Sequence, residues 1–322
     1  SIYFSEDVKD LTAQRICLTK ADSLTEYQIP RYQCDNFVPR SIYDGFWICT
    51  YNIVSVGDDG KLNKLLGAVR GIDYDVIALQ ETKRNERVNI MYYDGTRVIL
   101  GEKYKGVNCG GVGFLVHPSI AGLVDTYDII SPRLAVLRLR CRRLKLSVSI
   151  INCYSPTNEG TALELDRFYS ELEDVIRNER SLNKVVLGDF NAIIGKGQRN
   201  DERIGEFGLG SRNENGFRLA SLIHRMRLFH GNSFFRARGE VEDNRWTHMM
   251  RRKKTETENL NRKMEKKWTL REIDHILSDT KEGFLDVKVV PEVEFESDHR
   301  LLGAFIRFTK DATQDCQACD ML

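Results

Sequence analysis

The chain has 322 residues, 41% of them hydrophobic and 30% charged, and 48 Lys+Arg against 47 Asp+Glu leave a formal net charge of +1. This length and apolar content suit one large domain with a buried core that needs no disulfides, and no stretch reaches the length of a membrane-spanning helix. The even charge balance excludes only a uniformly basic nucleic-acid binder, because local clustering decides such binding.

Residues 1–44 are polar and mixed, and read as a poorly organised N-terminal extension. They begin with Ser rather than Met, as a fragment would, and show neither the basic start nor the apolar run of a secretory signal. The eight cysteines are scattered, so reduced thiols in an intracellular chain are expected. Only Cys316 and Cys319 form a CxxC; a single such pair is weak evidence for zinc, and a frayed tail over 309–322 is the plainer reading.

From Gly45 the pattern becomes regular. Strands are expected over 46–51, 75–79, 111–116, 134–139, 144–153 and 185–187, and again over 272–277, 285–290 and 301–308. The alternation in 134–139 and 144–153 predicts one covered and one wet face. Helical spacing appears over 62–69, in 163–176 through Leu165, Phe168, Tyr169, Leu172 and Ile176, and in 214–226 through Leu219, Ile223 and Met226. About ten strands and three or four helices result, and strands follow strands as often as helices. Two packed mixed sheets with helices outside, an α/β (α+β) class, fit this order better than a doubly wound sheet.

Residues 249–267 stand apart. Arg251, Arg252, Lys253, Lys254, Arg262, Lys263, Lys266 and Lys267 face three glutamates there, between Trp246-Thr247 and Trp268-Thr269. Most such runs are solvated charged loops. The alternative is an arm for phosphates, whose counterions Lys and Arg displace on contact.

Six polar clusters fall at the ends of the expected strands or inside them. Asn52 follows the first strand, and Glu81 ends the second, where a hard carboxylate oxygen would suit magnesium. Tyr154 closes the 144–153 strand, and Asp189 and Asn191 follow 185–187 on one side of the chain. Asp274 interrupts an apolar frame, at a cost in free energy unless it is paired. Asp298 and His299 precede the last strand; a carboxylate such as Asp274 beside His299 would fix its tautomer and raise its pKa. Each cluster alone is usually a turn or an exposed strand end. Jointly they specify metal-assisted phosphodiester hydrolysis, which needs a cation, a base for water and donors for phosphate oxygens.

The series Tyr51-Asn52, Leu79-Gln80-Glu81-Thr82, Gly188-Asp189-Phe190-Asn191, Ile273-Asp274-His275 and Ser297-Asp298-His299 resembles the endonuclease/exonuclease/phosphatase superfamily. The strings Gly110-Gly111-Val112-Gly113-Phe114, residues 205–216 and 297–302 look most like the apurinic/apyrimidinic-type endonuclease domain of RTE-class non-LTR retrotransposons. The resemblance covers about 45–308. It implies a DNase I-like, four-layered sandwich and a Mg²⁺-dependent DNA endonuclease, with Mn²⁺ as a possible substitute ion. It implies Glu81 as metal ligand with Asn52 beside it and Asp298 near the metal. Asp189 would activate water, Asn191 would position it, and Tyr154 would contact the phosphate. His299, held by Asp274, would stabilise that phosphate. Thr247 and the basic run Arg251, Arg252, Lys253 and Lys254 would contact double-stranded DNA.

The resemblance is not uniform. Related repair enzymes carry Asp where this chain has Val54, and Asn where it has Thr157, which argues against abasic-site repair as the main task. Thr247 and Asp274 lie 27 residues apart, longer than the family's usual DNA-contact hairpin. Without a reverse transcriptase the chain reads as an isolated, cut or domesticated endonuclease domain, monomeric, with no membrane partner, and nuclear by virtue of its substrate. The rivals are a phosphatase of the same superfamily acting on inositol or lipid phosphates, a secreted nonspecific DNase, and an inactive DNA-binding relic.

Overall fold

A computed structural model describes residues 45–237, 242–251 and 268–310. The expected N-terminal extension, most of the basic segment and the tail beyond 310 lie outside the described residues.

The first sheet runs in the order β14(Phe284–Val290), β15(Leu301–Ile306), β1(Phe46–Asn52), β2(Val76–Gln80), β5(Val112–Val116), β4(Arg97–Leu100) and β3(Val88–Met91). The second runs β10(Phe229–His230), β13(Asp274–Ser278), β9(Asn183–Asp189), β8(Leu146–Tyr154), β7(Leu134–Cys141) and β6(Val124–Ser131). A separate ribbon pairs β11(His248–Arg251) with β12(Trp268–Arg271). Helix α1(Asp59–Ala68) follows β1, α2(Pro118–Ala121) follows β5, α3(Ala162–Asn178) joins β8 to β9, and α4(Glu214–Arg225) precedes β10.

Three apolar clusters define the layers. Phe46, Ile48, Val76, Phe114, Val148, Ile150, Leu187 and Leu302 meet between the sheets. Leu62, Leu65 and Val69 on and after α1 cover the outer face of the first sheet with Tyr51, Ile77 and Leu79. Phe168, Leu172, Leu219 and Ile223 of α3 and α4 cover the second with Ile151, Val186 and Leu277. The result is a four-layered sandwich. Each fully buried Leu or Ile contributes about 1.5–3 kcal/mol relative to an exposed one.

The helical cover corrects the expectation of a wet face on β8, while β7 keeps part of one, with Arg138 half-buried and Arg140 exposed. Eight of the nine positions of β8 are buried, Ser149 and Asn152 included. Those polar groups are satisfied instead: Ser149 donates to Glu179 (2.6 Å), and the Asn152 amide donates across the sandwich to the carbonyls of Leu79 (3.0 Å) and Gly113 (2.8 Å). Gln80 returns a hydrogen bond to Asn152 Oδ1 at 2.7 Å. Directly beneath the strand ends, then, one polar network ties the sheets together.

The expected 272–277 strand starts later, at Asp274, and a separate strand, β12, ends just before it at Arg271. Thr247 Oγ1 accepts from both Ile273 N and Asp274 N at 3.1 Å, at the break between β12 and β13. Strands β3, β4 and β6 were not expected. The first two are four residues each, and β6 carries Asp125, Thr126 and Asp128 along a sheet edge.

Candidate active site

Parallel pairing makes strand ends coincide. β1 runs parallel to β2, with Asn52 opposite Gln80, and β8 parallel to β9, with Tyr154 opposite Asp189. Antiparallel β13 places Asp274 opposite Asp189. The carboxyl-terminal ends of β1, β2, β8 and β9 and the amino-terminal end of β13 therefore open on one edge of the sandwich. The bends that follow use backbone conformations rare for residues with a side chain: Val54, Glu81, Lys83 and Asn191 have φ of 60°, 54°, 52° and 47°. Each costs about 1–3 kcal/mol and persists where the surroundings over-determine it, as at active sites. Gly188 is required by packing, since a Cβ there would lie 1.9 Å from the Cys153 carbonyl oxygen.

Asn52 joins the two sheets at this edge. Its buried amide donates to Glu81 Oε1 (3.1 Å) and Asp189 Oδ2 (2.9 Å), while its Oδ1 accepts from Val54 N. Asp189 Oδ1 accepts from Asn191 N at 2.8 Å, and the Asn191 amide donates to the Ser155 carbonyl at 3.1 Å. The Tyr154 hydroxyl bonds to Glu81; burial, and then the charges of Glu81 and Asp189, raise its pKa, so it stays a phenol able to donate. The Arg133 guanidinium sits 5.0 Å above the Tyr154 ring and donates to the Tyr154 carbonyl. Glu81 Oε2 is met by Lys83 Nζ at 2.8 Å.

His299 Nδ1–H donates to Asp274 Oδ2 at 2.9 Å, and its Nε2 lies 3.9 Å from Asp189 Oδ2 and 4.0 Å from Asp298 Oδ1. Burial would lower the imidazole's pKa, but Asp274, Asp189 and Asp298 outweigh it and push the value up to about 9. His299 is therefore an imidazolium at neutral pH. Asp189 is held above the usual carboxylate range by burial and then by the charge of Asp274, with His299, Asn191 N–H and Asn52 opposing.

The site thus gathers Asn52, Glu81, Tyr154, Asp189, Asn191, Asp274, Asp298 and His299. Asp298 is half exposed and lies against two histidines, with His248 Nε2 at 3.5 Å besides His299. Thr247 is different. It is fully buried, and its hydroxyl accepts from the backbone amides of Ile273 and Asp274. Arg251 ends β11, while Arg252, Lys253 and Lys254 lie outside the described residues.

Sequence reading missed several groups. His248, Lys83 and Arg133 sit in otherwise ordinary strings. Ser297 was only part of a motif, yet its hydroxyl donates to the Asn52 carbonyl at 2.7 Å and its oxygen accepts from His299 N, fastening the Asp298-His299 turn to β1. Asn213 and Asn215 belong to the long string 205–216. Asn213 caps α4 through Gly216 N (2.7 Å), and buried Asn215 donates to the carbonyls of Pro156, Phe190 and Asn191. His275 is part of the frame: its Nε2–H donates to the Ala192 carbonyl, and its Nδ1 accepts from His230. Burial keeps both of these rings neutral.

Comparisons agree with this architecture. The endonuclease/exonuclease/phosphatase family model matches residues 49–299. Craniofacial development protein 2 of Bos taurus is 26% identical over 203 residues, 61% of this chain and 32% of the relative; the match spans about a third of that protein's length. AP endonuclease LMAP from Leishmania major superposes with a TM-score of 0.56 at 13% identity, covering 85% of this chain and 92% of its own. The endonuclease domain of TRAS1, a telomere-specific non-LTR retrotransposon, gives 0.50 at 14% identity, with 82% and 100% covered. At these identities the two structures speak for the fold.

Proposed function

Because the chain belongs to the endonuclease/exonuclease/phosphatase family, we propose that it is a Mg²⁺-dependent DNA endonuclease that nicks target DNA as in target-primed retrotransposition. The observation that carries this reading is Asn52, whose single amide bridges Glu81 and Asp189, with Asp189 3.9 Å from an imidazolium. A hard-oxygen ligand, a water-activating carboxylate and a phosphate-binding cation thereby share one open edge.

The residues fit a magnesium ion. Glu81 offers a carboxylate among oxygen and amide groups, and the cation that meets it is the Lys83 ammonium. Glu81 would hold the ion, with Asn52 beside it and Asp298 near it; Mn²⁺ suits the same donors. The bound ion would act as a Lewis acid that neutralises phosphate charge and eases the leaving oxygen away.

Asp189 orients the attacking water and accepts its proton, a role its raised pKa suits near neutrality. Asn191, fixed by Ser155, positions that water. His299 directs its Nε2–H at a phosphate oxygen and stabilises the charge that develops there, while Asp274 holds the ring and its charge. Tyr154 donates a second hydrogen bond to the phosphate.

The β11–β12 ribbon leaves this edge, with Met250, Trp268 and Leu270 exposed. Together with the basic residues between its strands, it is the proposed contact for double-stranded DNA. No helix among the described residues is long and apolar enough to cross a membrane. A monomer acting in the nucleus, where its substrate lies, completes the reading.

A substrate panel tests it. The protein with Mg²⁺ is offered plasmid DNA, an inositol polyphosphate and a phosphoinositide, and both nicks and released phosphate are measured. Nicking without phosphate release supports the endonuclease; phosphate release without nicking would replace it with the phosphatase.

A further inference from the structure

His248 has no part in the mechanism above, yet it is held rigidly against the site. Arg300 N donates to the Thr247 carbonyl (2.7 Å) and Met249 N to the Asp298 carbonyl (2.9 Å), so the start of β11 is stitched to the Asp298-His299 turn. The His248 and His299 rings lie 4.6 Å apart at 40°. Both Nε2 atoms face the Asp298 carboxylate, at 3.5 and 4.0 Å, and the three groups' ligand atoms lie within 4.8 Å of one another.

We infer that His248, Asp298 and His299 form a binding site for a zinc-class divalent cation, and that an ion held there switches the hydrolase off by taking His299 away from the phosphate.

Two imidazoles and one carboxylate are the donors of a three-ligand zinc site whose fourth position is open. They are a poor set for magnesium, which prefers oxygen throughout. Tetrahedral zinc with bonds near 2.1 Å separates its ligand atoms by about 3.4 Å, so pairs of ligand atoms now within 4.8 Å of one another need close by no more than about 1.4 Å. The shell behind the ligands is already built: Asp274 accepts His299 Nδ1–H and leaves Nε2 to face the carboxylate, the carboxylate–histidine–metal arrangement. The other ring nitrogen of His248 is buried without a hydrogen-bond partner among the described residues, so no bond to them competes for the ring's orientation. Half-exposed Asp298 leaves an entry path. Binding requires His299 to give up its Nε2 proton, so the ion and the imidazolium are mutually exclusive.

The binding claim stands on geometry alone; the inhibitory consequence rests on the proposed endonuclease reading. The test is a titration of the intact chain with Co²⁺ and Zn²⁺, following the visible absorption of bound Co²⁺ and its displacement by Zn²⁺. A Cys316→Ser/Cys319→Ser chain run alongside removes any contribution from the CxxC pair. One site is expected in both chains, resistant to millimolar Mg²⁺, at least about tenfold weaker in His248→Gln and unchanged in Glu81→Gln. Low Zn²⁺ should stop plasmid nicking by the wild type in Mg²⁺, while the nicking that His248→Gln shows without zinc should need at least about tenfold more zinc to stop. Equal binding by wild type and His248→Gln, or loss of the site in Glu81→Gln, overturns the inference. His248-dependent binding by a protein that nicks nothing would uphold the site and remove the endonuclease instead.

Discussion

Asp274 and His299 are joined by a buried 2.9 Å hydrogen bond, and the other Asp274 oxygen is buried without a hydrogen-bond partner among the described residues. An ionised carboxylate so placed is tolerable only beside a positive charge, and the imidazolium supplies it. The same pairing sets the pH behaviour of the site.

Replacing Asp274 with Asn removes the charge that offsets burial. Nicking should fall by about 10²- to 10³-fold, the scale of losing a positioned electrostatic group. The alkaline limb of the rate profile, set by loss of the imidazolium near pH 9, should move well toward neutrality. A fall in rate with an unmoved alkaline limb would mean that Asp274 is not what holds the proton.

His299 also links pH to stability. Its folded pKa, about 9, lies above the unfolded value near 6.5. Its contribution is therefore fully present below about pH 6.5 and is lost as pH rises through 9, a change of up to about 3 kcal/mol. Chemical denaturation of the wild type should show this decline, and His299→Gln should flatten it.

Thr247→Val keeps the shape but leaves Ile273 N and Asp274 N without their acceptor. A destabilisation of about 2–4 kcal/mol is expected from two stranded buried donors, with activity reduced through Asp274. Thr247→Ser retains the hydroxyl and should recover most of both, as judged by urea unfolding and nicking.

Asn152→Leu removes the bonds that tie Leu79 and Gly113 to the second sheet and leaves the Gln80 amide only its bond to the Ala78 carbonyl. Thermal unfolding should drop by an amount equivalent to about 2–4 kcal/mol.

Exchanging residues 252–267 for a short turn should leave metal binding intact while weakening DNA affinity and flattening its dependence on salt. An unchanged salt slope would take the basic segment out of the interface.

The parts of the fold that were legible in sequence are those with long apolar periods. Helix α3 shows Leu165, Phe168, Tyr169, Leu172 and Ile176 on one face, all buried. The site residues were legible because polar groups interrupt or end buried runs, as Asp274 does within Ile273-Asp274-His275-Ile276. What stayed hidden depends on tertiary contact. The break between β12 and β13 lies at a hydroxyl 26 residues away from Ile273. The buried outer face of β8 is set by helices that follow it, and His248 matters only because its strand is stitched to the 298–300 turn.

The most direct measurement is conversion of supercoiled plasmid to open circles by the intact chain in Mg²⁺, beside EDTA, Asp189→Ala and His299→Ala. The account predicts nicking that EDTA abolishes and that both variants lose while remaining folded. Nicking that survives in Asp189→Ala, or an intact protein that binds the metal and leaves the plasmid supercoiled, would contradict it.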